Sequence, residues 1–194
     1  MGRGAGRLNV ESLVPGFRPA FGLEAEVCAD PELLEGLAWG RPRRGHPEGA
    51  VGNHVADLCR TIDRWGGPAQ RRAELRLIAL MHDAFKSQVQ YARSRTGENH
   101  HAMRARRFAE RYIADERLLA TIELHDAPYA IWKRLRRKGG KGDHALTMLV
   151  ARIPDRDLFM RFVELDASTE GKDSEPVKWF RTELARRGGL EQEG

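Results

Sequence analysis

The stretch Leu77-Ile-Ala-Leu-Met-His-Asp-Ala-Phe-Lys-Ser87 decides how this chain is read. From Ala73 to about Lys86 the residues are apolar almost all round, which predicts a central, buried helix. That helix nevertheless carries His82 and Asp83 side by side. Burying a charge costs several kcal/mol unless it is paired or bound to a metal. The pair therefore has to have partners, and they must come from elsewhere in the chain.

Working outward from it, the apolar spacing repeats the helical period again and again. Val51, Val55, Leu58, Ile62 and Trp65 mark one helix, ended by Gly66-Gly67-Pro68. Ala105, Phe108, Ala109 and Tyr112 mark another between His101 and Ile113, and Leu118 and Ile122 a further one from Asp115 towards Pro128. Helices around His144–Ile153 and Asp155–Ala167 are separated by Pro154, and Val177, Trp179, Phe180 and Leu184 form a last one before Gly188-Gly189. The segment Lys133–Gly142 is charged and ends in glycines, and it predicts a mobile basic loop. No strand pair and no internal repeat is visible, so the expected class is all-α. Residues 1–44 read as an irregular extension packed on or flanking the core, with one short helix over Pro31–Trp39 after an Asp30 cap. Residues 45–190 read as the main domain.

Composition sets the bounds. With 194 residues, 41% hydrophobic and 7% aromatic, the chain can bury a core without staples. No apolar run reaches the length of a membrane span, and the start MGRGAGRLNV is no secretory leader. Cys28 and Cys59 have neither disulfide nor zinc spacing. A cytoplasmic protein without a membrane partner is the expectation. The net charge is +5, with 27 arginines against 6 lysines. Because 28 acidic residues are interspersed, a general bias towards arginine codons accounts for most of the excess, and nucleic acid is not the favoured partner.

Five helices each carry a metal-capable residue on or beside the apolar face. His54 lies within a turn of Val51 and Leu58, His82 four residues after Ile78, and His101 on the face of Ala105 and Phe108. His125 follows Leu118 and Ile122, and Asp166 follows Phe159, Phe162 and Val163. One such histidine is ordinarily a satisfied core residue. Five helices doing this together would need five separate buried partners, whereas one shared metal site satisfies them all. On an ideal helix His82 and Asp83 differ by about 100°, so they approach such a cluster from two directions. That leaves Asp83 free to bridge two ions. Imidazole and carboxylate without thiolate suit Fe, Mn, Co or Ni, with Mg a further candidate, rather than a structural zinc.

The order His54, His82-Asp83, His101, His125, Asp166 resembles the HD-domain superfamily of metal-dependent phosphohydrolases. The likeness spans roughly Gly45 to Ser168. Gly45-His-Pro-Glu-Gly-Ala-Val-Gly-Asn-His54 is similar to the opening of the HD domain attached to bacterial tRNA nucleotidyltransferases. Met81-His-Asp-Ala-Phe-Lys86 matches the HD-x-x-K signature, and Val163-Glu-Leu-Asp-Ala-Ser168 looks like the closing aspartate helix. The resemblance implies a helical bundle with the metal site in its core. His54, His82, Asp83 and Asp166 form the minimal ligand set, and His101 and His125 are the extra ligands of two-metal members. His100 is the fallback for His101. The nucleotidyltransferase catalytic domain is missing, and so is the tail of the cyclic-dinucleotide phosphodiesterases.

In that reading Asp83 bridges the metals and orients the attacking hydroxide. Lys86 either contacts a substrate phosphate or is a solvated helix-end lysine. Glu48 either starts the helix carrying His54 or supports the site. His46 and Asp126 are candidates to hold a ligating histidine in place, or are exposed. The leading expectation is hydrolysis of a small phosphate ester, a nucleotide above others. The alternatives are a mixed-valence di-iron oxygenase with the same ligand order, and a non-catalytic module binding nucleotide or RNA.

Overall fold

The computed structural model describes residues 8–42, 47–138, 143–169 and 172–187. Among them every regular element is helical. The α-helices are α1 (Val10–Leu13), α2 (Gly22–Cys28), α3 (Pro31–Ala38), α4 (Val51–Arg64), α5 (Ala69–Met81), α6 (His101–Ala109), α7 (Glu116–Leu124), α8 (Ala127–Lys138), α9 (Asp143–Ala151), α10 (Arg156–Ala167) and α11 (Glu175–Arg186). Single 3-10 turns at Lys86–Gln88 and Gly97–Asn99 punctuate the segment between α5 and α6.

Local chemistry sets several of these boundaries. Asp30, Asp115 and Asp155 accept hydrogen bonds from the backbone N–H groups of Glu32, Arg117 and Leu158, and so cap α3, α7 and α10. Gly66, Gly67 and Pro68 separate α4 from α5. In α4 the predicted stripe Val51, Val55, Leu58 and Ile62 is buried, and His54 lies buried among it. Along α5 every residue from Glu74 to Met81 is buried, which makes it the central helix.

Two apolar clusters meet on α10. The larger joins α1 to α7 with Leu158 and Phe162. The smaller joins α8, α9 and α11 with Phe159, Met160 and Val163. Phe159 and Phe162 are both fully buried. Each such side chain contributes roughly 2–3 kcal/mol of burial, so α10 acts as a shared spine between the clusters.

Three expectations are corrected. Residues 10–38 hold three short helices rather than one, and Val10, Val14, Phe17, Val27, Leu33 and Leu37 belong to the main core rather than to an extension. The packing is close enough to require glycine. A Cβ on Gly36 of α3 would lie 2.0 Å from the Ala84 carbonyl oxygen, and one on Gly52 of α4 would lie 2.1 Å from that of Leu13. The central helix stops at Met81, so His82 and Asp83 lie at and just beyond its end. The basic segment from Lys133 to Lys138 is the second half of α8, not a loop, while residues 139–142 fall outside the described part. Among the described residues no helix is long and apolar enough to cross a membrane.

Candidate metal centre

His82 is the residue that ends α5, and His125 ends α7 in the same way. Each ring turns its Nδ1 onto the carbonyl three residues back, Ala79 and Ile122 respectively, at 2.9 Å. A hydrogen bond of this kind fixes the ring and aims Nε2 away from its own helix. Each histidine is followed by an aspartate, Asp83 and Asp126. Both pairs lie past the last residue of their helices, with His82 and His125 keeping helical dihedrals.

Asp83 sits at the centre. Its Oδ2 lies 3.4 Å from His82 Nε2 and 2.5 Å from Lys86 Nζ. Its Oδ1 faces the other way, 3.3 Å from His101 Nε2 and 3.6 Å from His125 Nε2. On the far side of His82, Asp166 of α10 places Oδ1 at 2.8 Å from His54 Nε2, 3.7 Å from His82 Nε2 and 2.6 Å from Lys172 Nζ. The imidazoles form a row, with ring centroids 5.5 Å apart from His54 to His82, 5.0 Å from His82 to His125 and 5.4 Å from His125 to His101. Phe162 closes the row from below, its ring 5.1 Å from that of His82.

Three overlapping groups can hold a cation: His54, His82 and Asp83; Asp83, His101 and His125; and His100, His101 and Asp126. Within each, the donor atoms lie within 4.8 Å of one another. Asp83 is common to the first two. The cluster's hydrogen bonding also points to a ligand. Of the five buried side-chain N and O atoms without a hydrogen-bond partner among the described residues, four are here: His54 Nδ1, His82 Nε2, Asp83 Oδ1 and His101 Nε2. Leaving such an atom unmet costs roughly 1–3 kcal/mol. Cations in the first two groups would between them meet His82 Nε2, Asp83 Oδ1 and His101 Nε2, so the donor set fits a metal.

Electrostatics favour the same occupant. Burial alone pushes His82 towards its neutral form, but Asp83 and Asp166 outweigh it and raise its pKa to about 9. His101 is raised too, burial being overcome by Asp126 and Asp83. Burial would raise both Asp83 and Asp166; Lys86 with His82, and Lys172 with His54, hold the two carboxyls well below the usual range. His54 goes the other way, pushed down by burial more than Asp166 restores. The field that favours a proton on His82 and His101 favours any cation at those atoms.

The site opens into a cavity of about 720 Å³. Asp83, Lys86, His101, His125, Asp166 and Lys172 all reach it, and Tyr91, Arg95 and Tyr129 stand at its walls. A narrower pocket on the other side of Asp83 touches Glu48, His54 and Trp39.

The structure thus brings His54, His82, Asp83, His101, His125 and Asp166 together. His100 is half-buried, packs its ring against that of His101 with centroids 4.5 Å apart and accepts a hydrogen bond from the Ala102 N–H at the start of α6. Asp126 belongs to the site, 3.2 Å from His101 Nε2. Glu48 reaches its edge, and its carbonyl also accepts a bond from the Asn53 side chain. His46 lies outside the described residues. His144 is exposed. The one residue that sequence reasoning missed is Lys172. It lies in the connection after α10, six residues beyond Asp166 with no motif around it, and no sequence signal marks it.

Compared with known proteins, the chain matches no family model, and neither a curated protein nor a solved structure proves similar to it.

Proposed function

We propose that the protein is a metal-dependent phosphohydrolase of HD type, holding divalent ions through His54, His82, Asp83, His101, His125 and Asp166. The observation that carries this reading is the Asp83 carboxylate. Its two oxygens face different histidines at the floor of an open cavity, with Lys86 against one of them. That is the disposition expected of a group bridging two ions.

Imidazole and carboxylate donors suit Mn, Fe, Co or Ni, with Mg a further candidate. Bound there, divalent ions would supply a Lewis acid for a phosphoryl oxygen and a water acidified to near neutrality. The remaining work belongs to the chain itself. The Ala79 and Ile122 carbonyls hold His82 and His125 in fixed orientation. Lys86 and Lys172 place two positive charges in the cavity wall beside Asp83 and Asp166, where a phosphate's outer oxygens would come to rest. Asp83 keeps Lys86 protonated, overriding the burial that would lower its pKa. Asp126 is held in its charged form, burial being outweighed by His125 and His101, and it steadies the His101 ring from the cavity side. The cavity volume falls in the range that takes a nucleotide-sized ester.

The test is a metal and substrate screen without oxygen. Protein loaded anaerobically with Mn, Fe, Co or Ni is expected to hydrolyse members of a panel of nucleotides, p-nitrophenyl phosphate and bis-(p-nitrophenyl) phosphate. Asp83→Asn should lower turnover about a thousandfold, a loss of roughly 4 kcal/mol in transition-state stabilisation, together with metal content. Lys172→Ala should raise KM roughly tenfold with a smaller change in kcat. Failure to retain transition metal at micromolar concentration overturns the reading. Turnover that requires O₂ redirects it to the oxygenase.

A further inference from the structure

The first half of α8 carries an aromatic and basic stripe that the metal chemistry does not use. Tyr129, Trp132, Lys133 and Arg136 fall at helical spacing on one face, opposite Pro128, Ile131 and Leu135, which are buried or half-buried. The Tyr129 and Trp132 rings stack with centroids 6.3 Å apart. Lys133 lies over Tyr129 at 5.6 Å, and Arg136 over Trp132 at 5.0 Å. Tyr129 is 48% exposed and also lines the cavity, so the stripe begins at the mouth of the metal centre and runs away from it. From Tyr129 to Arg136 it covers about 10 Å of helix. Across the mouth a second pair repeats the chemistry: Tyr91, 67% exposed, with Arg95 at 5.9 Å from its ring.

The charges on α8 stand together on one helix. Some arginines elsewhere are bound by carboxylates, as Arg71 is by Glu74 and Asp155, Arg106 by Glu110, Glu116 and Glu123, and Arg117 by Glu74, Asp115 and Asp155, while others, Arg64, Arg93 and Arg95 among them, have no carboxylate partner among the described residues. Among the described residues Lys133, Arg134, Arg136 and Arg137 form no ion pair, and Ala127–Lys138 contains no acidic residue. An exposed tyrosine and a half-buried tryptophan, each with a cation over its ring and that cation without a carboxylate partner, are features of a single-stranded nucleic-acid platform. In the sequence the two aromatics are inconspicuous, because Tyr129 and Trp132 precede the charged run rather than alternate with it.

We infer that a single-stranded nucleic acid lies along α8, bases against Tyr129 and Trp132, phosphates towards Lys133 and Arg136, with one end in the cavity. This deepens the phosphohydrolase reading by naming an oligonucleotide rather than a free nucleotide as the substrate class. The test separates the two, because binding is read without turnover.

Fluorescence anisotropy of a labelled single strand of about 12 nucleotides, with EDTA present, gives affinity alone. The oligonucleotide should bind at least roughly tenfold more tightly than a mononucleotide competitor. Affinity should fall roughly 20-fold between about 50 and about 200 mM salt if three phosphates are contacted. Tyr129→Ala should weaken binding roughly tenfold. The pair Lys133→Gln and Arg136→Gln should flatten the log–log salt slope by about 1.4. All three side chains are exposed, and unchanged thermal melts confirm that the variants fold. Equal affinity for mononucleotide and oligonucleotide overturns the inference. So does binding that these variants leave unchanged, or a preference for poly-glutamate or phosphatidylserine vesicles. Hydrolysis lost in Asp83→Asn with strand binding retained supports both readings; strand binding absent with hydrolysis intact overturns this one alone.

Discussion

Arg76, in the middle of α5, and Asp83, just past its end, are both buried charges, and the protein treats them in opposite ways. The Arg76 guanidinium gives Nε to Glu24 at 2.7 Å, Nη1 to Asp63 at 2.7 Å, and Nη2 to the Arg18 carbonyl at 2.8 Å, with the Phe17 ring 4.7 Å away. Glu24, fully buried, also accepts the Ala20 N–H. Asp83 Oδ1 lies among imidazoles without one hydrogen bond. The Arg76 network ties residues 18–24 to α4 and α5 and is complete as it stands. The Asp83 cluster leaves polar atoms unmet, and that makes it a candidate for holding a cation.

The sharpest way to break this contrast is to remove one partner from the completed network. Arg76→Ala strands Glu24 in the core and should cost about 3–5 kcal/mol in urea denaturation, while the protein that remains folded keeps its metal content. A smaller effect is expected at Asp155, another satisfied carboxylate, which caps α10 and binds Arg71 at 2.9 Å. Burial would raise its pKa, but the Leu158 N–H and Arg71 outweigh that and lower it from 3.8. A depressed carboxyl contributes stability that is fully present above its unfolded value and is lost as pH falls through the folded one. Asp155→Ala should therefore cost about 2 kcal/mol at neutral pH, and its deficit should narrow below pH 3.8, as pH-dependent denaturation will show. Asp83→Asn should cost about 1–2 kcal/mol in the metal-free protein, because the amide gives up the charge that Lys86 and His82 stabilise but keeps an acceptor for Lys86. A loss as large as that of Arg76→Ala would erase the distinction between the two sites.

The helices of the core were legible because their burial is written in period: Val51 to Ile62, Leu75 to Met81 and Leu158 to Val163 read correctly from apolar spacing alone. The residues of the His-Asp cluster were legible because histidine and aspartate are so out of place on those faces. What spacing does not encode is where a hydrogen-bond ladder stops. His82 and His125 keep helical dihedrals at the ends of α5 and α7, so the pattern runs on through them, and spacing leaves Asp126 undecided between holding a histidine and lying exposed, whereas it stands beside His101. Lys133 to Lys138 looked like a loop because α8 buries only a narrow edge, Ile131 and Leu135, against the smaller cluster. Residues 10–38 read as irregular because α1, α2 and α3 span at most eight residues each, too few for a period to declare itself. Their place in the core depends on contacts such as Gly36 on Ala84, which no local pattern contains.

Both His-Asp pairs sit at helix ends, and these are carboxyl ends. The aligned peptide dipoles of α5 and α7 each leave about half a negative charge at that terminus, close to the last turn. Two such termini converge on the Asp83 cluster, but α6 begins at His101 and α8 at Ala127, so two amino ends of opposite charge lie beside them and the peptide dipoles largely offset. The attraction for cations therefore rests on the side chains. A variant stripped of the Asp83 or the Asp166 carboxylate should accordingly lose much of its hold on positive charge at this spot, whether an ion, the Lys86 ammonium or a protonated imidazole.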